Sequence, residues 1–265
     1  MKKSELEKYA TSFFGYGRWD APCWVIGLEE KGAKTRGEFQ NRFKAWQKCC
    51  RARGKSNCKD GLVDLKHYHQ ACEIIPDVHN VTWRNLHTIL SAAGFNVGKQ
   101  ICDLKDNWGG KSKSASRPDS KPSNVAMIEA LPFPTRGGSG WPYANWRREY
   151  GYMESKKACA DEFLCLRLCR IAKEAVKRKP KLVIVYGKGD IALRERWECL
   201  IKQKFSKSWK PKSFGELKLK HLKEGKTWYF TIDHPGNQYQ KKEIPEKIGM
   251  SILSLIKKGR NSHRA

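Results

Sequence analysis

Leu182-Val183-Ile184-Val185-Tyr186-Gly187-Lys188-Gly189 decides the fold class. The run from Leu182 to Tyr186 is apolar and rich in β-branched residues, with no polar break, and glycines follow at once. That is the pattern of a strand buried on both faces, which requires helices on either side of its sheet. Trp24–Leu28, Val125–Ala130 and Trp228–Ile232 have the same character.

Helical periodicity fills the intervals. Phe39–Cys50 is one predicted helix. Val81–Ala93 is another, with Trp83, Leu86, Leu90 and Ala93 on one face and Gly94 as its stop. Ser155 caps a long helix reaching about Lys177, which ends before Pro180. Ile191–Phe205 supplies a further helix. Pro245–Lys257 begins with proline and turns Ile248, Ile252, Leu255 and Ile256 inward. Alternation of strands and helices predicts an α/β three-layer sandwich around a mainly parallel, four-stranded sheet. The chain, residues 1–265, reads as one domain with insertions. Lys105–Asn124, rich in Lys, Ser, Gly and Pro, reads as a mobile basic loop. Phe214–Phe230 reads as a hairpin turning at Glu224-Gly225-Lys226.

Charge narrows the choice of partner. Lys and Arg number 53 against 27 Asp and Glu, a net charge of +26. An excess that large concentrates polyanions, and nucleic acid is the natural one, because basic side chains release counterions from its phosphates. An anionic membrane surface fits less well, since no polybasic helix with a clear apolar face is evident. No run approaches the roughly 18 apolar residues of a membrane span. The start, Met1-Lys2-Lys3-Ser4-Glu5, carries no apolar signal segment, so an intracellular, cytoplasmic protein is expected, acting as a monomer.

The ten cysteines are not expected to form a disulfide framework in such a compartment. Cys165 and Cys169 continue through Ala172 and Val176 at helical spacing and read as core. Cys49, Cys50, Cys58, His67, His69 and Cys72 come nearest to a zinc or iron–sulfur cluster. Their spacing is irregular, so the expectation is no cofactor and no metal.

In open α/β sheets, ligands bind beyond the carboxyl ends of the strands. The first strand runs into Gly27-Leu28-Glu29-Glu30, and the second into Glu129-Ala130-Leu131-Pro132-Phe133-Pro134. The third gives Tyr186-Gly187-Lys188-Gly189, and the fourth Asp233-His234-Pro235-Gly236-Asn237-Gln238-Tyr239. One sheet edge thus gathers carboxylates, a histidine, glycines and aromatic residues. The plain alternative is a surface Glu pair and a turn histidine.

The order of these strand ends resembles the uracil-DNA glycosylase superfamily. That family has a Gly-x-Asp/Asn-Pro type motif after the first strand and a base-reading Asn after the second. A strand ending in Gly follows, then a His-Pro-Ser type loop. Thr82-Trp83-Arg84-Asn85-Leu86 is similar to a helix start found between the first two motifs. The resemblance implies a monofunctional DNA glycosylase, which hydrolyses the N-glycosidic bond of a flipped-out base and leaves an abasic site. Glu29 stands where the family carries its water-positioning residue, with Glu30 one step away. His234 matches the histidine that donates to base O2 as negative charge builds there. By position, Gly236 and Asn237 hold a phosphate, and Gln238 or Tyr239 fills the gap in the base stack. Lys188, Lys111 and Lys113 are assigned to DNA contact, and Phe133 to base recognition beside Glu129.

Glu129 departs from the family's Asn. An ionised carboxylate only accepts hydrogen bonds, so it opposes uracil O4 and suits the N4 amino group of cytosine. The competing reading is a strand end that faces solvent. A glycosylase that attacked ordinary cytosine would destroy its host's genome, so the target should carry a further mark. Glucosylated hydroxymethylcytosine of phage DNA is such a mark, and within the superfamily the chain resembles anti-phage glycosylases acting on hypermodified cytosine. Glu30-Lys31 replaces the Pro-Tyr pair that closes the uracil pocket, leaving room for a bulky C5 substituent. Polar and aromatic residues of Gly137–Trp146 are candidates for sugar contact. Repair of uracil or damaged bases, non-catalytic DNA binding, an unrelated three-layer hydrolase and a metal-dependent nuclease stay open at this point.

Overall fold

The computed structural model describes residues 2–28, 35–52, 61–63, 68, 81–97, 124–135, 141–187, 191–214, 217–236 and 243–261. The strands are β1 (Gly15–Tyr16), β2 (Cys23–Gly27), β3 (Leu62–Val63), β4 (Val125–Glu129), β5 (Leu182–Tyr186), β6 (Lys210–Phe214), β7 (Leu217–Glu224) and β8 (Thr227–Ile232). The α-helices are α1 (Lys3–Ser12), α2 (Arg36–Ala52), α3 (Val81–Ala92), α4 (Lys156–Arg178), α5 (Leu193–Phe205) and α6 (Glu243–Asn261).

All eight strands join one mixed sheet in the order β3-β1-β4-β2-β5-β8-β7-β6. The expected sheet of four strands is therefore too small. Its four segments do form consecutive parallel neighbours, β4 on β2, β2 on β5, and β5 on β8. Antiparallel pairing enters at both sides, through β1 on β4 and through β7 with β8 and β6. The added strands escape a hydrophobic reading for physical reasons. β1 and β3 are two residues each. β6, Lys-Pro-Lys-Ser-Phe, carries the lysines and proline that suit an edge strand and repel further pairing.

Side chains alternate between two cores, one on each face of the sheet. Trp24 and Ile26 of β2, Ala126 and Ile128 of β4, and Val183 and Val185 of β5 pack against α4 and α5. Val25, Met127, Ile184, Phe230 and Ile232 point the other way, into a core shared with α1, α2, α3 and α6. Helices thus lie on both faces of the sheet.

Local sequence explains the helix limits. The Ser155 hydroxyl accepts the Ala158 N–H at 3.0 Å and starts α4, while Lys179 in the left-handed region (φ 52°) ends it. Gly94 at φ 81° stops α3. Gly249 lets α6 approach α3: a Cβ there would lie 2.4 Å from the Ile89 carbonyl oxygen. The β7–β8 hairpin closes through Gly225 at φ 56°, pairing Glu224 with Thr227, where its sequence predicts a turn.

One helix face is rotated from expectation. Cys165 and Cys169 are exposed, and Val176 is 38% exposed, so they are not core. The buried stripe of α4 runs instead through Leu164, Leu168, Ile171 and Ala175. Both stripes have helical spacing, and the larger aliphatic side chains win the interior. Among the described residues, no helix is long and apolar enough to cross a membrane. The 105–124 segment lies outside the described residues, apart from Asn124.

Candidate active site

Taking the four central parallel strands in chain order, the path runs from β2 out to β4, then back across β2 to β5 and on to β8. The carboxyl ends of β2 and β5 therefore flank a point where successive connections leave in opposite directions, the place where an open α/β sheet offers a crevice. Gly27 is in register with Glu129 on one side, and Ile26 with Val185 on the other. Tyr186 is in register with Ile232. Glu129, Gly27, Tyr186 and Ile232 thus form one row across the sheet edge, and strand alternation puts all four on the face that carries α3 and α6.

Gly27 gives this row its shape. A Cβ there would lie 2.6 Å from Oη and 2.9 Å from Cζ of Tyr186, so the phenol rests directly on the glycine. The Tyr186 ring also meets the imidazole of His234 edge to face, with centroids 5.4 Å apart and planes at 72°.

His234 follows β8 by two residues and is held by its own loop. The Gly236 N–H donates to Nδ1 of His234 at 3.1 Å. A nitrogen that accepts carries no proton, so the bond assigns the proton of the neutral ring to Nε2. A Cβ at 236 would stand 2.8 Å from Nδ1 and push the imidazole aside. Asn85, in the first turns of α3, donates from Nδ2 to the Pro235 carbonyl at 2.8 Å and to that of Gly236 at 3.4 Å. Asp233 fastens the other end of the loop. Its carboxylate pairs with Arg194 and accepts the Lys218 N–H at 3.2 Å.

Glu129 ends β4 and is only 3% exposed, which disfavours the reading of a strand end facing solvent. Its backbone is pinned on both sides. Its N–H donates to the Phe14 carbonyl at 3.0 Å, and its carbonyl accepts from Arg167 at 2.7 Å. Arg167 is fully buried and also donates to the carbonyls of Ala130, Phe13 and Ala10, with its guanidinium over the Phe14 ring. Burial pulls its pKa down to about 9, so the group stays charged at neutral pH beside the Glu129 carboxylate. Sequence reading overlooked this residue, although an arginine inside the Leu164–Leu168–Ile171 stripe was a visible anomaly.

Phe133 is fully buried. Its ring packs among Phe39, Tyr143 and Phe163 at 5.5 to 6.1 Å, within the aromatic core. Tyr143 and Trp146 belong to the same core, and the Tyr143 hydroxyl donates to the Pro134 carbonyl at 2.6 Å. Of the aromatic candidates for sugar contact, only Trp141 is partly exposed.

The structure thus brings His234, Gly236 and Glu129 to one sheet edge. Glu29, Glu30, Lys188, Asn237, Gln238, Tyr239, Lys111 and Lys113 lie outside the described residues. So do Cys58 and Cys72; Cys49 is buried, whereas Cys50 is disulfide-bonded and in that state is no thiolate ligand. Cys50 is thus an exception to the expectation that the cysteines build no disulfide framework. Among the described residues, no group of three or more His, Cys, Asp or Glu could hold a metal ion.

A neutral imidazole presenting Nε2–H stabilises negative charge developing on a nearby acceptor, and a buried carboxylate binds a donor-rich ligand edge. Compared with protein-family models, with curated proteins and with solved structures, the chain has no significant match.

Proposed function

We propose that the chain is a monofunctional DNA glycosylase that removes a modified cytosine, in the first place glucosylated hydroxymethylcytosine, and leaves an abasic site. The observation that carries this reading is the held ring of His234, its Nδ1 accepting the Gly236 N–H, at the carboxyl edge of the sheet.

In the proposed reaction, the C1′–N1 bond breaks with its electron pair passing to the base. Negative charge develops on O2, where the Nε2–H of His234 donates to it. The sugar becomes oxocarbenium-like. Glu29, two residues beyond Gly27, orients the water that attacks C1′ and supplies negative charge to the cation. Water gives a hydroxyl group to C1′ and its remaining proton to the released base, so the step balances without an oxidant.

Glu129 supports the choice of base. Its carboxylate accepts from the N4 amino group of cytosine and repels O4 of uracil. Its burial raises the cost of a mismatched edge, because a polar group left unpaired there loses its hydration without compensation. The charge of +26 supports a polyanionic substrate, with sequence-independent contacts to phosphate.

Mass spectrometry of bases released from a panel of DNAs tests the reading. Glucosylated hydroxymethylcytosine is expected as the main product, with little release from uracil-containing or unmodified DNA. Release of uracil alone would move the chain to repair, and release of nothing from any DNA would refute the activity.

A further inference from the structure

We infer that Tyr186 is a positioning residue for His234, seated by Gly27 and holding the imidazole in the orientation that presents Nε2–H to the crevice. The inference rests on the glycosylase reading for its chemistry, but its geometry stands apart from it.

Tyr186 links the two strand ends that flank the crevice. One side of its phenol lies against Gly27, where a Cβ would come within 2.6 Å of the hydroxyl oxygen and 2.9 Å of the ring carbon that bears it. Another side meets the His234 ring at 72°. The residue is only 9% exposed and packs with Ile184 and Ile232 on the same face of the sheet. With β2 on one side and imidazole on the other, the phenol has little room to turn.

The consequence for His234 is orientational. The Gly236 N–H fixes Nδ1 only while the ring keeps one of its two flipped orientations about Cβ–Cγ. A flip would carry a carbon to the Gly236 N–H and turn Nδ1 away, and the protonation pattern of the two nitrogens would no longer be set. The edge-to-face contact with Tyr186 hinders the intermediate ring angles through which a flip passes and keeps the ring plane aimed at the Gly236 N–H. Tyr186 therefore acts through His234 and needs no contact with DNA, and its ring matters more than its hydroxyl.

Imidazole nitrogen NMR of the full chain tests this without requiring activity, with His234→Asn used to identify the His234 signals. The wild-type chain is expected to show His234 protonated at Nε2. Tyr186→Phe keeps the ring and should keep that state, with single-turnover base release within about threefold of wild type. Tyr186→Leu should give a mixture of tautomers and slow base release by about 10- to 100-fold, the scale of a misplaced catalytic group, with DNA affinity unchanged. Circular dichroism establishes that the variant is folded. If Tyr186→Leu does not fold, Gly27→Ala displaces the phenol from its other side and should produce the same tautomer mixture. Combining Gly27→Ala with Tyr186→Phe should restore the wild-type state in part, because the closest clashing atom is then gone. A folded Tyr186→Leu or Gly27→Ala chain with the wild-type His234 tautomer would overturn the inference. A tautomer shift in a chain that releases no base from any DNA would uphold the positioning role while removing the glycosylase reading.

Discussion

At Glu129 a 3% exposed carboxylate stands in the same strand-end row as Gly27 and Tyr186, one strand beyond β2 from the phenol. If it reads the amino edge of cytosine, Glu129→Gln changes the reading without changing the volume. The amide both donates and accepts, so it tolerates O4 where the carboxylate does not. The ratio of uracil release to modified-cytosine release is expected to rise by about tenfold or more, measured on matched duplexes. An unchanged ratio would remove Glu129 from base recognition. At this scale the sequence was readable where chemistry and chain position coincide. Glu129 ends an apolar run and His234 lies two residues beyond one, so the rule that ligands gather at strand ends finds them. Tyr186 and Arg167 escaped because their roles come from contacts between distant segments. Arg167 joins α4 to the carbonyls of Ala10 and Phe13 across more than 150 residues, which no local pattern records.

Among the elements, the β7–β8 hairpin carries a distinct expectation. His221 stacks near Trp228 and Phe230, with centroids at 6.0 and 6.1 Å. Burial, then the charges of Lys210 and Lys212, hold its pKa below the ordinary 6.5. Between that lowered value and 6.5, the unfolded chain binds a proton that the folded chain refuses. Stability from this group is therefore present above about pH 6.5 and declines as pH falls through that value. His221→Phe keeps the stack and removes the titration, so the loss of Tm between pH 7.5 and 5.5 should be smaller than in wild type. Equal losses would show that His221 does not contribute. The hairpin turn was legible from Gly225, and the strong helices from their caps and apolar faces. β6 was not, because Lys210, Pro211 and Lys212 give no hydrophobic alternation; its place comes from pairing with β7.

For the whole molecule, the proposed function and the excess of positive charge together predict DNA binding dominated by phosphate. DNA affinity is expected to fall steeply and linearly in log–log form with salt. Six phosphate contacts would cost about 10³ in affinity between 50 and 200 mM. A salt-independent affinity would be incompatible with such an interface. The larger architecture was legible in its centre and not at its margins. The four continuous apolar runs lie side by side as the parallel middle of the sheet, but nothing in them announces four further strands. Their order places Gly27 and Tyr186 at a reversal in the path of the chain, and the loop after β8 brings His234 to the same edge.

The most direct test of the central claim compares wild type with His234→Ala and Glu29→Gln on duplex DNA containing glucosylated hydroxymethylcytosine. Abasic sites and free base are measured in single turnover at saturating protein. Wild type should release the modified base, and each variant should do so slower by a factor of about 10² or more while binding the duplex normally. Release at wild-type rates by both variants, or none by wild type, would contradict it.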